Sequence, residues 1–210
     1  PASLPSTPIS PKKYMVAGVG LVASFVAMFF FVGICYLVNN RITNLYELEK
    51  IDMAPVIGSV PMSNHLNGHA LHVLEKPRSM VSESIRTLRT NLDFFNLAAG
   101  KKTIAISSTV SGEGKSFIAM NLGAVMAVSD KRVILVDLDM RKAKVHLPFK
   151  APDNSRGVST ILIGKDAWRE TVMQTPVPNF DYLPSGPHPP NPSELLLHGK
   201  FTELLADLKK

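Results

Sequence analysis

The apolar residues of this sequence form one long uninterrupted segment followed by a series of short runs. Residues 14–38 contain no charged side chain, and a helix that rises about 1.5 Å per residue over that length crosses a hydrocarbon core of about 30 Å. A buried core helix and a signal peptide are the alternatives, but the apolar part of a signal peptide has only about 7–15 residues. The pattern predicts a transmembrane helix over residues 14–38.

Beyond residue 78, short apolar runs change between the period of a helix and that of a strand. Val81, Ile85, Leu88 and Leu92 repeat at helical spacing and predict a helix over Arg78–Leu97. The other predicted elements are strands over Thr103–Ser107, Val133–Val136 and Phe180–Leu183 and helices over Phe117–Val128 and Glu194–Leu208. This alternation predicts an α/β fold, a parallel sheet with flanking helices.

Polar stretches flank the predicted transmembrane helix. Residues 1–13 carry four prolines and are expected to be extended, without a core of their own. Residues 39–77 are expected to form a juxtamembrane linker, and residues 78–210 the α/β domain. A zinc site at His65, His69 and His72 is conceivable, but no cysteine accompanies them, so a solvated linker is the favoured interpretation.

Charge and cysteine content exclude some classes of protein. The net charge of +6 suits a surface close to anionic lipid. It is too small and too evenly spread to indicate nucleic-acid binding. The one cysteine, Cys35, lies in the apolar segment, so no disulfide framework is expected.

The run SSTVSGEGKSF, residues 107–117, has the composition of a phosphate-binding loop. Glycines let backbone N–H groups turn toward phosphate oxygens, and the start of the following helix adds unpaired donors. Lys115 can reach the phosphates and the Ser116 hydroxyl can ligate Mg²⁺. The loop predicts an ATP- or GTP-binding, P-loop NTPase-like domain whose nucleotide contacts come from Ser111, Gly112, Glu113, Gly114, Lys115, Ser116 and Phe117.

A second motif, ILVDLDMR at residues 134–141, supplies acids about 22 residues later. Asp137 and Asp139 follow a predicted strand with period two and therefore project on the same side at its carboxyl end, where open α/β sheets bind ligands. Such a pair can hold Mg²⁺ through water and accept a proton from an attacking hydroxyl. Arg141 can orient the acids or contact phosphate. The alternative for such acids is a helix cap or a turn.

The loop departs from the common G-x-x-x-x-G-K-[ST] pattern at its start. Thr109 stands at the first glycine's position, but phosphate contact does not need that glycine when residues 112–116 are intact. Val110 stands where ParA- and MinD-like ATPases carry a signature lysine. This argues against a partitioning-type ATPase.

Together these motifs resemble the bacterial protein-tyrosine kinases (BY-kinases) that are fused to polysaccharide co-polymerases. The loop looks like their Walker A motif and ILVDLDMR like their Walker A′ motif, and the Pro-rich stretch before the apolar segment is similar to theirs. The sequence ESIRTLRTNL resembles their E-x-x-R-x-x-R element, and GPHPPNPSELL their G-x-x-P-P-N-P-x-E-L-L segment. His146 and Phe149 match an H-x-x-F, whereas Ala143 stands where proline is usual.

The resemblance implies an inner-membrane tyrosine autokinase, dependent on ATP and Mg²⁺, that controls exopolysaccharide or capsule polymerisation and export. Lys115, Asp137 and Asp139 would be catalytic, with Ser116 and Asp137 on Mg²⁺; the roles of the two acids could be exchanged. The kinase domain would be cytoplasmic and residues 1–13 periplasmic.

The implied partners follow from the same resemblance. They are a homo-oligomeric ring, a neighbouring subunit's C-terminal tyrosine tail, membrane lipid, the polysaccharide machinery and a cognate tyrosine phosphatase. Glu83, Arg86 and Arg89 would assemble the ring; a solvated face with a Glu–Arg pair is the alternative.

Two family parts are not found in the sequence. No Walker B strand lies between residues 142 and 210, and the tyrosines at 14, 36, 46 and 182 are scattered. The sequence is therefore expected to be a central segment that binds nucleotide weakly and catalyses poorly alone, with its acceptor tyrosines elsewhere. The alternative function is a chain-length regulator whose ATP-operated domain switches oligomerisation without phosphorylating tyrosine.

Overall fold

The computed structural model describes residues 12–39, 55–62, 71–95, 101–141, 154–197 and 199–209. The chain divides into two units, Pro1–Val56 and Ile57–Lys210, and each is described by itself. Several sequence predictions concern residues outside the described ranges, namely those for residues 1–11 and for His65, His69, Ala143, His146 and Phe149.

The first unit contains one long apolar helix, α1, which runs from Lys13 to Val38. Its 26 residues give a length of about 39 Å, which makes it a candidate membrane span by length and composition. All its side chains are exposed. A helix over the predicted residues 14–38 is confirmed, and its placement in a membrane stays a prediction.

The second unit contains the elements of the α/β domain. Among the described residues its helices are α2 (His72–Glu75), α3 (Met80–Phe95), α4 (Lys115–Ala127), α5 (Val158–Leu162), α6 (Trp168–Thr171), α7 (Pro192–Leu197) and α8 (Gly199–Leu208). Its strands are β1 (Val133–Val136), β2 (Met173–Gln174) and β3 (Phe180–Leu183).

The three strands form one sheet in the order β1–β3–β2. β1 and β3 are parallel, with Val133 opposite Phe180 and Val136 opposite Leu183, so both strands end at the same edge of the sheet. β2 pairs antiparallel with β3. The predicted bounds of β1 and β3 are confirmed, but the sheet is mixed rather than wholly parallel because β2 returns beside β3.

The predicted strand over Thr103–Ser107 is wrong, because residues 101–108 form no strand. A strand needs a neighbouring backbone about 5 Å away. Residues 102–108 and residues 134–139 instead line one cavity of about 660 Å³. The cavity lies where a ladder between this segment and β1 would have to form.

Helices cover both faces of the sheet, as alternation along the strands requires. On one face, Phe180 packs with Val133 and with buried residues of α3 and α4, including Ile85 and Leu122. On the other face the cluster comprises Met140, Val158, Leu162, Leu183 and Leu204, with Ile134 and Val136 against it. The acids that follow β1 are thus held between two packed layers.

Several predicted helix bounds shift by one or two residues. α4 begins at Lys115 instead of Phe117 and ends at Ala127 instead of Val128, and α3 begins at Met80 instead of Arg78. The last two residues predicted for α3, 96 and 97, lie outside the described ranges. The helix predicted over Glu194–Leu208 corresponds to α7 and α8, and residue 198 between them lies outside the described ranges.

The end of the predicted linker is packed rather than solvated. His72 is 2% exposed, its Nε2 lies 3.0 Å from the Ser79 hydroxyl, and the neighbouring Val73 N–H donates to Oδ1 of Asn121 on α4 at 3.0 Å. The prediction of a solvated stretch is wrong for His72, because α2 packs against α3 and α4 and joins the first core.

Candidate active site

The phosphate-binding loop is open and ready to receive an anion. Gly112 and Gly114 have φ values of +97° and +96°, and a Cβ built on either would meet nothing within 4 Å. Gly114 is the N-cap of α4, and no side chain caps the helix. The backbone N–H groups at the helix start are therefore presented as donors.

Two side chains brace the loop from within. The Glu113 carboxylate accepts a hydrogen bond from the Val110 N–H at 3.1 Å, and the Ser108 hydroxyl donates to the Val110 carbonyl at 3.0 Å. Glu113 therefore holds the tip of the loop. Its predicted contact with nucleotide stays a prediction.

The acids after β1 adopt a tight turn. The Asp137 N–H donates to the Leu183 carbonyl at 2.9 Å, which extends the parallel ladder by one residue. Asp137 is buried, with 6% of the residue exposed. Its Oδ1 accepts a hydrogen bond from the Asp139 N–H at 3.0 Å. This bond within the turn turns the second acid toward the loop.

The loop and the acids meet through an ion pair. Nζ of Lys115 lies 3.2 Å from Oδ2 of Asp139, and each side chain is about one-third exposed. Residues 24 apart in the sequence are thus joined at the carboxyl edge of the sheet. Lys115, Ser116, Asp137 and Asp139 all line the cavity described above.

Burial and charge also affect the tyrosine beneath the acids. Tyr182, on β3, is 1% exposed. Burial raises the pKa of its phenol, and the charge of Asp137 raises the pKa further. Tyr182 is thus a neutral core residue that packs against Met120.

These residues fit a nucleotide with a hard divalent cation. The loop amides and Lys115 suit phosphate oxygens, while the Ser116 hydroxyl and the carboxylates of Asp137 and Asp139 are oxygen donors of the kind that Mg²⁺ prefers. Among the described residues no group of three or more His, Cys, Asp or Glu side chains is placed to hold a metal ion.

Other predicted site residues lie apart from this group. The Phe117 ring packs against the first core and lies 6.2 Å from the His72 ring, so only its backbone can serve a nucleotide. Arg141 is exposed and does not line the cavity. The predicted nucleotide contacts of both residues stay predictions.

The predicted oligomerisation residues lie on α3. Arg86 bonds Glu83 at 2.6 Å and the Pro77 carbonyl at 2.7 Å, which matches the predicted Glu–Arg pair. Arg89 donates to the Ser129 hydroxyl and lies 3.7 Å from Asp93. Arg89 therefore ties α3 to the end of α4 within the chain, and its role between subunits stays a prediction.

One residue near the acids was not singled out from the sequence. Nδ1 of His188 lies 2.7 Å from the carbonyl oxygen of Met140, directly after Asp139. The topology could have indicated this contact. β1 and β3 are predicted as parallel strands, so the segments that follow them must meet at one edge of the sheet.

Comparison with known proteins identifies the family. A family described as "AAA domain" matches residues 101–196. The solved BceF tyrosine kinase domain is 30% identical, with a TM-score of 0.72 over 80% of this chain and 72% of that chain. The chain belongs to the BY-kinase family. The kinase part of the predicted resemblance and the P-loop NTPase-like fold are confirmed, whereas the fusion to a polysaccharide co-polymerase stays a prediction. Nucleotide binding with a metal follows from this type of domain.

Two relatives show how much of a BY-kinase the chain represents. It is 41% identical to tyrosine-protein kinase YwqD of Bacillus subtilis, over 62% of this chain and 55% of that protein. It is 32% identical to tyrosine-protein kinase wzc of Salmonella typhi, over 94% of this chain and 29% of that protein. The chain thus spans less than a third of the longer relatives and about half of the shorter one.

Proposed function

We propose that this BY-kinase chain belongs to an inner-membrane tyrosine autokinase that transfers phosphate from ATP to tyrosine and regulates exopolysaccharide or capsule polymerisation and export. The observation that carries the proposal is the meeting of Lys115 with Asp139, with Asp137 beside them, at the mouth of an open phosphate loop. Relatives named as tyrosine-protein kinases support it.

The roles of the four residues follow from their chemistry. Lys115 stabilises the charge of the phosphates, and Ser116 and Asp137 hold Mg²⁺, Asp137 through water. Asp139 accepts the proton of the attacking phenol. Its greater exposure supports this assignment, since a base must reach a substrate hydroxyl, while the buried Asp137 is better placed to hold a cation.

The acceptor tyrosine is proposed to lie outside this chain, on a neighbouring subunit's tail. Of the tyrosines that the structure describes, Tyr182 is buried in the core, and Tyr14 and Tyr36 lie on the apolar helix α1. The ring would assemble through Glu83, Arg86 and Arg89. A cognate phosphatase would reverse the modification.

The membrane placement is proposed with the kinase domain in the cytoplasm and residues 1–13 in the periplasm. Helix α1 supports an anchor by its length and apolar composition. Because ATP is cytoplasmic, the nucleotide-binding domain belongs on that side. The net positive charge would favour contact with anionic lipid.

A third acid, expected on a Walker B strand, is proposed to complete the site. The cavity between residues 102–108 and β1 supports this proposal, because β1 lies at the edge of the three-stranded sheet that the structure describes and an added strand could pair with it there. A version that carries such a strand should bind ATP more tightly than residues 1–210 alone. Equal affinity would contradict the proposal.

The kinase activity is tested on the full-length protein with ATP and Mg²⁺. Phosphotyrosine should appear in the wild type and be absent in Lys115→Met. If neither gains phosphotyrosine, the kinase proposal is wrong. An ATP-dependent change of oligomeric state without phosphotyrosine would instead indicate the chain-length regulator.

A further inference from the structure

The loop after β3 is fixed in place by neighbouring elements. The Asn154 side chain accepts from the Gly186 N–H at 3.1 Å and donates to the Gly186 carbonyl at 2.7 Å. The Ser159 hydroxyl donates to the Pro187 carbonyl at 2.8 Å. Three hydrogen bonds therefore fix the backbone position of Gly186 and Pro187, which precede His188.

From this anchored position the His188 ring reaches the turn that carries the acids. Its Nδ1 lies 2.7 Å from the Met140 carbonyl oxygen. A carbonyl oxygen can only accept, so Nδ1 must carry a hydrogen and donate it.

Hydrogen bonds hold the backbone of that turn at several positions, of which the Met140 carbonyl is one. The Asp139 N–H is held by Asp137, and the Met140 N–H donates to the Leu138 carbonyl at 2.9 Å. The Met140 side chain is buried in the second core at 3% exposure. With the His188 bond added, the backbone on both sides of Asp139 is tied down.

We infer that His188 is a positioning residue of the kinase site, which holds Asp139 beside Lys115 through the Met140 carbonyl. The inference rests on the proposed function for its effect on turnover. His188 stands at a position that the G-x-x-P-P-N-P segment leaves open, so the motif does not assign it. The preorganised turn keeps a base within reach of its substrate, where a small displacement slows proton transfer.

Two amide substitutions separate the ring nitrogens. In His188→Asn, Nδ2 stands as many bonds from Cα as the native Nδ1 and can still donate to Met140. In His188→Gln, Nε2 stands where the native Nε2 does and misses that carbonyl. His188→Ala removes both, and Ser193→Ala, an exposed change on α7, is the control.

In the full-length protein, kcat for autophosphorylation should fall about fivefold or more in His188→Ala and His188→Gln, the effect of one lost hydrogen bond. His188→Asn and Ser193→Ala should stay within about twofold of wild type, and KM for ATP should change less than kcat. Activity in His188→Gln but not in His188→Asn would overturn the inference, because Nε2 would then be the working atom. Equal activity in all variants, or equal loss with a lowered Tm, would also overturn it.

Hydrogen exchange provides a readout that does not need activity. Amides of residues 138–141 should exchange faster in His188→Ala and His188→Gln than in wild type and His188→Asn. If the wild type makes no phosphotyrosine, the proposed function fails while this exchange pattern still decides the inference. An unchanged pattern in all variants overturns the positioning role even if the kinase is active.

Discussion

The Lys115–Asp139 ion pair predicts that removing the acid improves nucleotide binding when no metal is present. Lys115 cannot bind phosphates fully while it is held by Asp139 at 3.2 Å. Asp139→Asn removes the competing charge and also a carboxylate that would repel phosphate. We expect ADP to bind more tightly to the variant in EDTA, although the variant loses kinase activity.

The size of the gain follows from the geometry. Unit charges 3.2 Å apart attract by about 1.3 kcal/mol in bulk water and by about 5 kcal/mol at an effective dielectric constant of 20. Both side chains are about one-third exposed. Solvent screening and the cost of ordering the side chains therefore reduce the net attraction to about 1 kcal/mol. Release of the pair therefore corresponds to a roughly fivefold lower Kd.

Isothermal titration calorimetry with ADP in EDTA measures this change. Asp130→Asn is the matched control, since it makes the same chemical change in the turn after α4, where asparagine also tolerates the φ of 60°. That turn lies at the far end of the 13-residue helix, about 20 Å from Lys115. An unchanged or weaker affinity in Asp139→Asn, or an equal gain in Asp130→Asn, would refute the reasoning.

Three further predictions concern stability and are measured by chemical denaturation in detergent. Gly157→Ala places a Cβ 2.1 Å from the Gly186 nitrogen and should lower the free energy of unfolding by about 3 kcal/mol or more. Its control, Gly199→Ala, places a Cβ in open space and should be neutral or stabilising by up to about 1 kcal/mol. Similar effects of the two substitutions would contradict the packing argument. Leu183→Ala empties a site that is 0% exposed and should cost about 3 kcal/mol, so a cost below about 1 kcal/mol would show that the site collapses. The hydrogen bond from Lys131 lowers the pKa of Asp93 from its ordinary value. The pair contributes under about 1 kcal/mol because it is partly exposed, and this contribution is full at neutral pH and is lost as the pH falls through the lowered pKa. Lys131→Met should therefore be less stable than wild type at pH 7, and the difference should shrink as the pH is lowered; a difference that stays constant with pH would contradict the ion-pair argument.

Strands β1 and β3 could be predicted to the residue because local sequence determines them. Both are four-residue runs next to residues that end a strand: three of the four residues in β1 are β-branched, and two of the four in β3 are aromatic. The segment 103–107 has a similar composition but forms no strand, because a strand also needs a partner backbone. No property of a single segment reveals whether that partner is present.

The meeting of loop and acids could be predicted from topology, but its contacts could not. Parallel strands end at one edge, which brought Lys115 and Asp139 to the same region. The burial of His72, the clamp between Arg89 and Ser129 and the His188–Met140 bond depend on how α2, α3 and the loop after β3 pack. Such packing involves residues up to 48 positions apart and leaves no local pattern.

The packing of α2 against α4 determines where a shortened version of this domain can begin. A truncation that starts at Arg78 would discard Val73, whose N–H binds the buried Asn121, and would expose core surface on α4. Loss of a buried donor costs about 1–3 kcal/mol. Further upstream, the Ile57 carbonyl accepts from Asn91 on α3 at 2.7 Å. A membrane-free version for crystallisation or calorimetry should therefore begin before Ile57, because a cut at the first residue of the apparent domain would weaken the helix that carries Lys115.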